Sequence, residues 1–484
     1  MKTLTDRVDA LFAEWDKPNS PGCALAIIQD GAIIYQRGYG CADLEHGIPI
    51  TPTSVFDIAS TSKQFTATCI AILARQGKLS LDDEAKKHIP ELPGYAHPIT
   101  IRHLIHHTSG IRDYLTLMEL AGMRYENEYP DEEVLDLICR QKELNFEPGE
   151  EYLYSNTGYL LLGEIVKRVS GKTLRTFADE GIFAPLGMKK THFHDDFTEI
   201  VKDRAVGYSA KEDGGFRIDM SIFDVVGDGC VYTTVDDLYL WDQNFYHNGL
   251  ENYGHDLIAE ISTPGRLNNG EKLDYAFGLV VEKYRGLDLI SHGGDWAGYR
   301  SEMTRFPEQK FSVICLANLG EINPTRLAKQ IADIYLEKDF TEPAAEKREP
   351  DEGEISELPA MDISADQLQE YAGEYDCEEL GVPYKLVFEE GRLILVYKDF
   401  RGEILKPMMK DSFKGAEITL RFTRDNQNQI SGFQLDAGRV KNLQFVSFHS
   451  VPFQTILEQS EKSILANKGL SEEEFWKAVE QDSE

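Results

Sequence analysis

The sequence predicts an α+β fold. One antiparallel sheet is assembled from both ends of a long region, a mainly helical segment is inserted between its halves, and a small all-β barrel follows. Three observations carry this. First, β-rich runs at 23–28 and 32–35 flank Asp30-Gly31, a dipeptide that suits a two-residue hairpin needing positive φ. Second, further β-rich runs appear far along the chain, at 279–284, 287–291, 299–306 and 311–318, with Arg285-Gly286 and Pro307-Glu308 as turns, while 60–220 is mainly helical in pattern. Third, the composition shifts beyond residue 337. A charged, Pro-containing stretch from Glu342 to Glu354 has little to bury, and short strand-like runs then recur at regular spacing. The expected divisions are a first domain at 1–340, an acidic linker at 341–362, a barrel at 363–454 and a helical tail at 455–484.

In chain order, Leu4, Val8, Leu11, Phe12 and Trp15 form an apolar stripe at helical spacing, closed by Pro18 and Pro21. Phe65, Cys69, Ile72 and Leu73 predict a helix with one apolar face, ended by Gly77. Gly158 to Val169 is an apolar helical run. Leu327, Ile331, Ile334 and Tyr335 close the first domain with another helix. The barrel strands are expected at 384–388, 393–397, 418–422, 430–435 and 443–448, with Glu390-Gly391 and 399–402 between them. Ser471-Glu472-Glu473-Glu474 has capping-box spacing before Phe475, Trp476 and Val479.

Composition bounds the partners. Lys+Arg 50 against Asp+Glu 83 gives a net charge of −33, which repels nucleic-acid phosphates and anionic membrane surfaces. The first eighteen residues carry Asp6, Arg7, Asp9, Glu14 and Asp16, and no long apolar run occurs, so neither a signal peptide nor a membrane span is expected. The seven cysteines are scattered, mostly inside apolar runs, which suits buried free thiols in a reducing, cytoplasmic setting. Composition leaves the oligomeric state open.

The chemistry-bearing stretch is Phe56 to Phe65. Ser60 and Lys63 are three apart at a helix start and so face the same way, and a desolvated Lys can hold or relay the proton that a serine nucleophile must lose. Tyr154-Ser155-Asn156 follows the turn Glu147-Pro148-Gly149-Glu150. A phenol beside the Lys63 ammonium is suited to accept the Ser60 proton, and Asn156 can donate to a substrate carbonyl. His292-Gly293-Gly294-Asp295 reads as a strand opening into a glycine-rich turn, where backbone can approach a substrate closely.

Rival motifs are weaker. His103, His106 and His107 lack an H-E-x-x-H carboxylate, and His192 and His194 fall in what reads as a polar loop after Pro185-Leu186-Gly187-Met188, so no metal is expected. Gly171-Lys172-Thr173 lacks the upstream glycine of a phosphate loop and reads as a helix terminus. No G-x-S-x-G occurs.

Taken together, Ser60-x-x-Lys63, Tyr154-x-Asn156 and His292-Gly293-Gly294 resemble the S-x-x-K, Y-x-N and K-T-G elements of the penicillin-recognising serine hydrolases, over roughly residues 5–340. The Tyr form is that of class C β-lactamases. His in place of Lys is the pattern of the esterase and S12 aminopeptidase branches. The resemblance implies a β-lactamase/transpeptidase-like domain with Ser60, Lys63 and Tyr154 catalytic, and Asn156, His292, Gly293, Gly294 and Asp295 binding substrate. It also implies an oxyanion hole from the amides of Ser60 and Asp295. Tyr371-x-Gly373-x-Tyr375 and the strand rhythm look like the lipocalin-like domain of some S12 peptidases. The implied activity is acyl-enzyme hydrolysis, without a cofactor, of esters, amides or small peptides, D-amino-acid ones included. Alternatives are β-lactamase or D-Ala-D-Ala carboxypeptidase activity and, from another class, a non-catalytic peptide- or partner-binding scaffold.

Overall fold

Asp30 and Gly31 take φ values of 50° and 80°, the left-handed pair a two-residue hairpin requires, and the strands Cys23–Gln29 and Ala32–Tyr39 run antiparallel from them. This is a computed structural model; it describes residues 3–95, 97–343, 363–397 and 400–448. Most of the expected linker and all of the expected 455–484 tail lie outside the described residues. Contacts divide the chain into two compact units, Met1–Asp351 and Glu352–Glu484.

In the first unit, six strands form one antiparallel sheet in the order Val280–Tyr284, Leu287–Trp296, Tyr299–Phe306, Phe311–Ala317, Cys23–Gln29, Ala32–Tyr39. The two ends of the region therefore meet at the pairing of Cys23–Gln29 with Phe311–Ala317. On one face the helices Leu4–Phe12 and Pro324–Tyr335 pack Val8, Phe12, Leu327 and Ile331 against Leu25, Ile27, Val313 and Cys315. Alternation along each strand puts those residues on one side.

The other side is joined to helix Val235–His247 by a buried ion pair. Asp242 Oδ1 accepts from Arg305 Nε at 2.8 Å and from Ser312 Oγ at 2.9 Å, with both charged side chains almost wholly out of solvent. Removing one partner strands the other charge, so Asp242→Ala is expected to cost about 3–5 kcal/mol, read as a lowered denaturant midpoint.

Four expectations are corrected. The helical insert continues past residue 220, through Val235–His247 to Leu257–Ile261. The first of these helices buries Asp242 and Asn244, which interrupt the apolar stripe by which it would be recognised. Helix Lys63–Arg75 is buried all round from Lys63 to Leu73, not on one face, and its polar side chains are satisfied internally; Thr66 Oγ1, for instance, donates to the Gly227 carbonyl at 2.6 Å. Strand Leu287–Trp296 runs straight through His292-Gly293-Gly294, because Gly293 and Gly294 pair with Glu302 and Ser301 on the next strand; the turn comes only at Ala297-Gly298. His192–Phe193 is a short strand beside Val231–Thr233, not part of a loop.

The second unit contains a closed antiparallel barrel of eight strands from Gly373–Cys377 to Val440–Ser447, closed by pairing of the first with the last. Strand Phe400–Met409 escaped the sequence reading, which took 399–402 with its Gly402 as a connection; the strand also contains Pro407. Both stand at register shifts, and a Cβ on Gly402 would lie 2.1 Å from the Leu395 carbonyl oxygen. The interior is packed with rings: Phe433 stacks on Phe445 at 4.6 Å between centroids, Tyr384 meets Phe445 at 4.5 Å, and Tyr371 meets Phe413 at 4.7 Å. Among the described residues, no helix is long and apolar enough to cross a membrane.

Candidate active site

The pairing of Phe56–Asp57 with Val231–Thr233 fixes the start of the turn that carries Ser60. Asp57 Oδ1 accepts from the Ala59 amide at 2.8 Å, Ala59 sits at φ 46°, uncommon for a residue with a Cβ, and Ala59–Ser62 form a 3₁₀ turn leading into helix Lys63–Arg75. This places Ser60 and Lys63 side by side. Lys63 is completely buried, and its Nζ donates to Ser60 Oγ at 2.9 Å, to Asn156 Oδ1 at 2.8 Å and to the Asp228 carbonyl at 2.6 Å. Three acceptors around one nitrogen match the three donors of an ammonium.

Asn156 begins helix Asn156–Ser170, and its amide donates to Asp113 Oδ2 at 2.6 Å. The preceding loop is held from below by the histidine-rich segment. His107 Nδ1 accepts from the Ser155 amide at 3.1 Å, its carbonyl accepts from the Leu153 amide at 3.0 Å, and its ring lies 4.2 Å from that of Tyr154. His106 Nδ1 donates to the Tyr275 carbonyl at 3.1 Å, and His103 Nδ1 accepts from the Thr100 amide at 3.2 Å. These three rings serve backbone positioning. The Tyr154 ring centroid stands 5.0 Å from Lys63 Nζ.

Strand Leu287–Trp296 flanks the Ser60 turn. Thr61 Oγ1 donates to the His292 carbonyl at 3.1 Å, and Ser301 Oγ on the neighbouring strand donates to the Ile58 carbonyl at 2.7 Å. Gly294 passes so close that a Cβ there would lie 2.1 Å from the Ile58 carbonyl oxygen. The His292 ring is buried 6.3 Å from the Tyr154 ring. Its Nδ1 faces the Gly293 carbonyl at 2.6 Å and must carry the proton, so Nε2 accepts from Tyr275 Oη at 2.9 Å. Burial, and then the charge of Lys63, pull its pKa down to about 4, and the ring is neutral. The Asp295 carboxylate is paired with Arg300 Nη1 at 2.8 Å.

Comparison with known proteins matches the chain to a family. The Beta-lactamase family profile covers residues 8–335. The chain belongs to the beta-lactamase family. Penicillin-binding protein 4* of Bacillus subtilis (strain 168) is 32% identical over 330 residues, covering 63% of this chain and 70% of that protein. A D-aminopeptidase of Gluconobacter oxydans (strain 621H) is 29% identical over 303 residues, 62% of this chain, which spans only 56% of that enzyme's length. Among solved structures, the octameric penicillin-binding protein homologue from Pyrococcus abyssi superposes with a TM-score of 0.60 at 23% identity, covering 92% of this chain and 100% of that one, a likeness of fold. The serine-hydrolase class and the two-part fold expected from the sequence agree with these findings.

In this beta-lactamase-family site, several residues went unread in the sequence. Asp113 anchors the Asn156 amide and caps helix Tyr114–Leu120. Asp228 offers its carbonyl to Lys63 while its carboxylate accepts from Tyr114 Oη at 3.2 Å; burial, offset by Lys63, pushes its pKa up to about 6. The Gly227-Asp228-Gly229 setting was the available signal. Tyr275 left none, since only the fold brings it to His292. Asp57 is fully buried, and burial pushes its pKa up to about 7 against the opposing Ala59 hydrogen bond.

Asp57 supplies a pH prediction. A folded-state pKa raised above the unfolded value gives stability that is present below the unfolded pKa and lost as pH rises through about 7. Asn keeps the acceptor for the Ala59 amide but does not ionise. Asp57→Asn is therefore expected to gain about 2–3 kcal/mol relative to wild type between pH 5 and pH 8, measured by chemical denaturation at both values.

Proposed function

We propose that the chain hydrolyses amides, esters or small peptides through an acyl-enzyme on Ser60. The observation that carries the proposal is the Lys63 ammonium held between Ser60 Oγ, Asn156 Oδ1 and the Asp228 carbonyl, an arrangement that orients the hydroxyl and stabilises its deprotonated form. Ser60 Oγ attacks the carbonyl carbon, its proton passes to the Lys63/Tyr154 pair and on to the leaving group, and water then releases the acyl group. The amides of Ser60 and Asp295 would hold the oxyanion, each donor contributing roughly 3–4 kcal/mol. Asn156 would orient the substrate carbonyl from the far side of Lys63.

Uncharged or amine-bearing substrates, D-aminoacyl amides among them, fit better than carboxylates. The neutral His292 ring, with both nitrogens engaged, offers no charge to a substrate carboxylate, and the net charge of −33 disfavours anions at longer range. The D-aminopeptidase relative points the same way.

Fluorophosphonate labelling followed by peptide mapping tests the nucleophile. A single adduct on Ser60 is expected, and an adduct on Ser109 or Ser155 would overturn the assignment. For substrates, kcat/KM for a p-nitrophenyl ester and a D-alanyl anilide should exceed that for a chromogenic cephalosporin at both pH 6 and pH 8, because His292 stays neutral across that range. His292→Lys should narrow the gap. A cephalosporin leading at pH 8 in the wild type would give the site to β-lactams instead.

A further inference from the structure

Strand His192–Phe193 and the turn after it assemble a second cluster of ligating side chains. His192 and His194 stand two apart, so strand geometry turns both rings to one side, and His192 Nε2 lies 3.3 Å from His194 Nδ1. The turn closes with a hydrogen bond from the Glu199 amide to the Asp196 carbonyl at 3.0 Å, which brings Glu199 Oε2 to 4.0 Å from the same His194 nitrogen. All three ligand atoms lie within 4.8 Å of one another. Arg175 holds the carboxylate at both oxygens, the ligand oxygen Oε2 included. Arg175 donates from Nη1 to Glu199 Oε2 at 2.6 Å, from Nη2 to Oε1 at 3.0 Å, and from Nη1 to Asp195 Oδ1 at 3.0 Å.

We propose that His192, His194 and Glu199 form a site for a zinc-class divalent transition-metal ion, with Arg175 and Asp195 as its supporting shell and water completing a tetrahedron.

Zinc–nitrogen bonds of about 2.0–2.1 Å at a tetrahedral angle place two imidazole nitrogens about 3.3 Å apart, which is the spacing found. A plain hydrogen bond between the rings would explain that distance but not the convergence of a third donor. The Glu199 oxygen, within 4.8 Å of both ring nitrogens, must close on His194 Nδ1 from 4.0 Å to about 3.3 Å, a side-chain movement that gives up part of its pairing with Arg175. Two imidazoles and one carboxylate are a zinc donor set, and hydrogen bonds to the ligating carboxylate are the usual outer support. The same donors disfavour calcium and magnesium. Those ions need six or more oxygens, and Arg175 already engages the carboxylates of Glu199 and Asp195. His194 is buried, while His192 and Glu199 are half-buried, which leaves one open side for the ion and its water.

The site is tied to the first unit's small sheet. His192 pairs with Tyr232, and Tyr232 pairs with Asp57, three residues before Ser60. An ion here pins the 194–199 turn to the outer edge of that sheet, so it should raise stability with little effect on turnover.

The test uses the full chain, stripped with a chelator and then titrated with zinc or cobalt. One ion per chain is expected, with the visible absorption of a four-coordinate cobalt complex and a zinc-dependent rise in the thermal midpoint. His194→Asn should abolish all three signals. If that buried substitution fails to fold, the half-exposed His192→Asn replaces it, and Glu199→Gln should weaken binding at least tenfold. Absence of stoichiometric binding at submillimolar zinc would overturn the proposal. So would undiminished binding by the histidine variants, which would give the metal to the cysteines.

Discussion

Ser60→Ala is expected to abolish turnover, with kcat falling by about 10⁵–10⁶-fold while the fold is kept. Losses of that order follow removal of a serine nucleophile, since the residual rate comes only from binding and oxyanion contacts. The substitution is small in structural terms. Ser60 lies in the 3₁₀ turn ahead of the buried helix, makes no side-chain cap, and gives up one contact, with Lys63 Nζ, which keeps Asn156 Oδ1 and the Asp228 carbonyl as acceptors. Stopped assays together with thermal melts separate loss of chemistry from loss of fold. Turnover within tenfold of wild type would mean that Ser60 does not carry the acyl group.

Tyr154→Phe is expected to lower kcat by about 10²- to 10⁴-fold with an unchanged melting temperature. Phe retains the ring that packs 4.2 Å from His107 and 5.0 Å from Lys63 Nζ and removes only the oxygen that can take and return a proton. Lys63 already spends three N–H bonds on three oxygens, so as an ammonium it has no lone pair with which to accept the Ser60 proton. Another group must therefore take it. The drop should appear in kcat more than in KM, because the phenol acts in the transition state. Near-normal turnover would instead make Lys63, in its neutral form, the acceptor.

Residues close in the sequence determined what local chemistry can determine. Ser60 and Lys63 face each other because they are three apart, and Asp30-Gly31 and Arg285-Gly286 turn hairpins because both take positive φ. The β-rich runs at 299–306 and 311–318 gave Tyr299–Phe306 without error and Phe311–Ala317 to within a residue. Gly171 ends helix Asn156–Ser170 in a left-handed conformation, as its place in the sequence predicts. The tertiary structure decided whatever depends on partners distant in the chain. Gly293 and Gly294 looked like a turn because glycine is locally permissive, and they are strand because Glu302 and Ser301 pair with them. Gly402 looked like a breaker for the same reason and is absorbed at a register shift, as is Pro407, whose missing N–H would otherwise interrupt a ladder. The polar groups behind the candidate catalytic residues were the least legible. Asp57, Asp113, Asp228 and Tyr275 follow no spacing rule, and each matters only because folding carries it out of water, where a hydrogen bond or a charge counts for more than it does at the surface. Glu199 is the same kind of case: nothing in a loop-like stretch marks it until Arg175 and the strand His192–Phe193 fix its carboxylate beside two imidazoles.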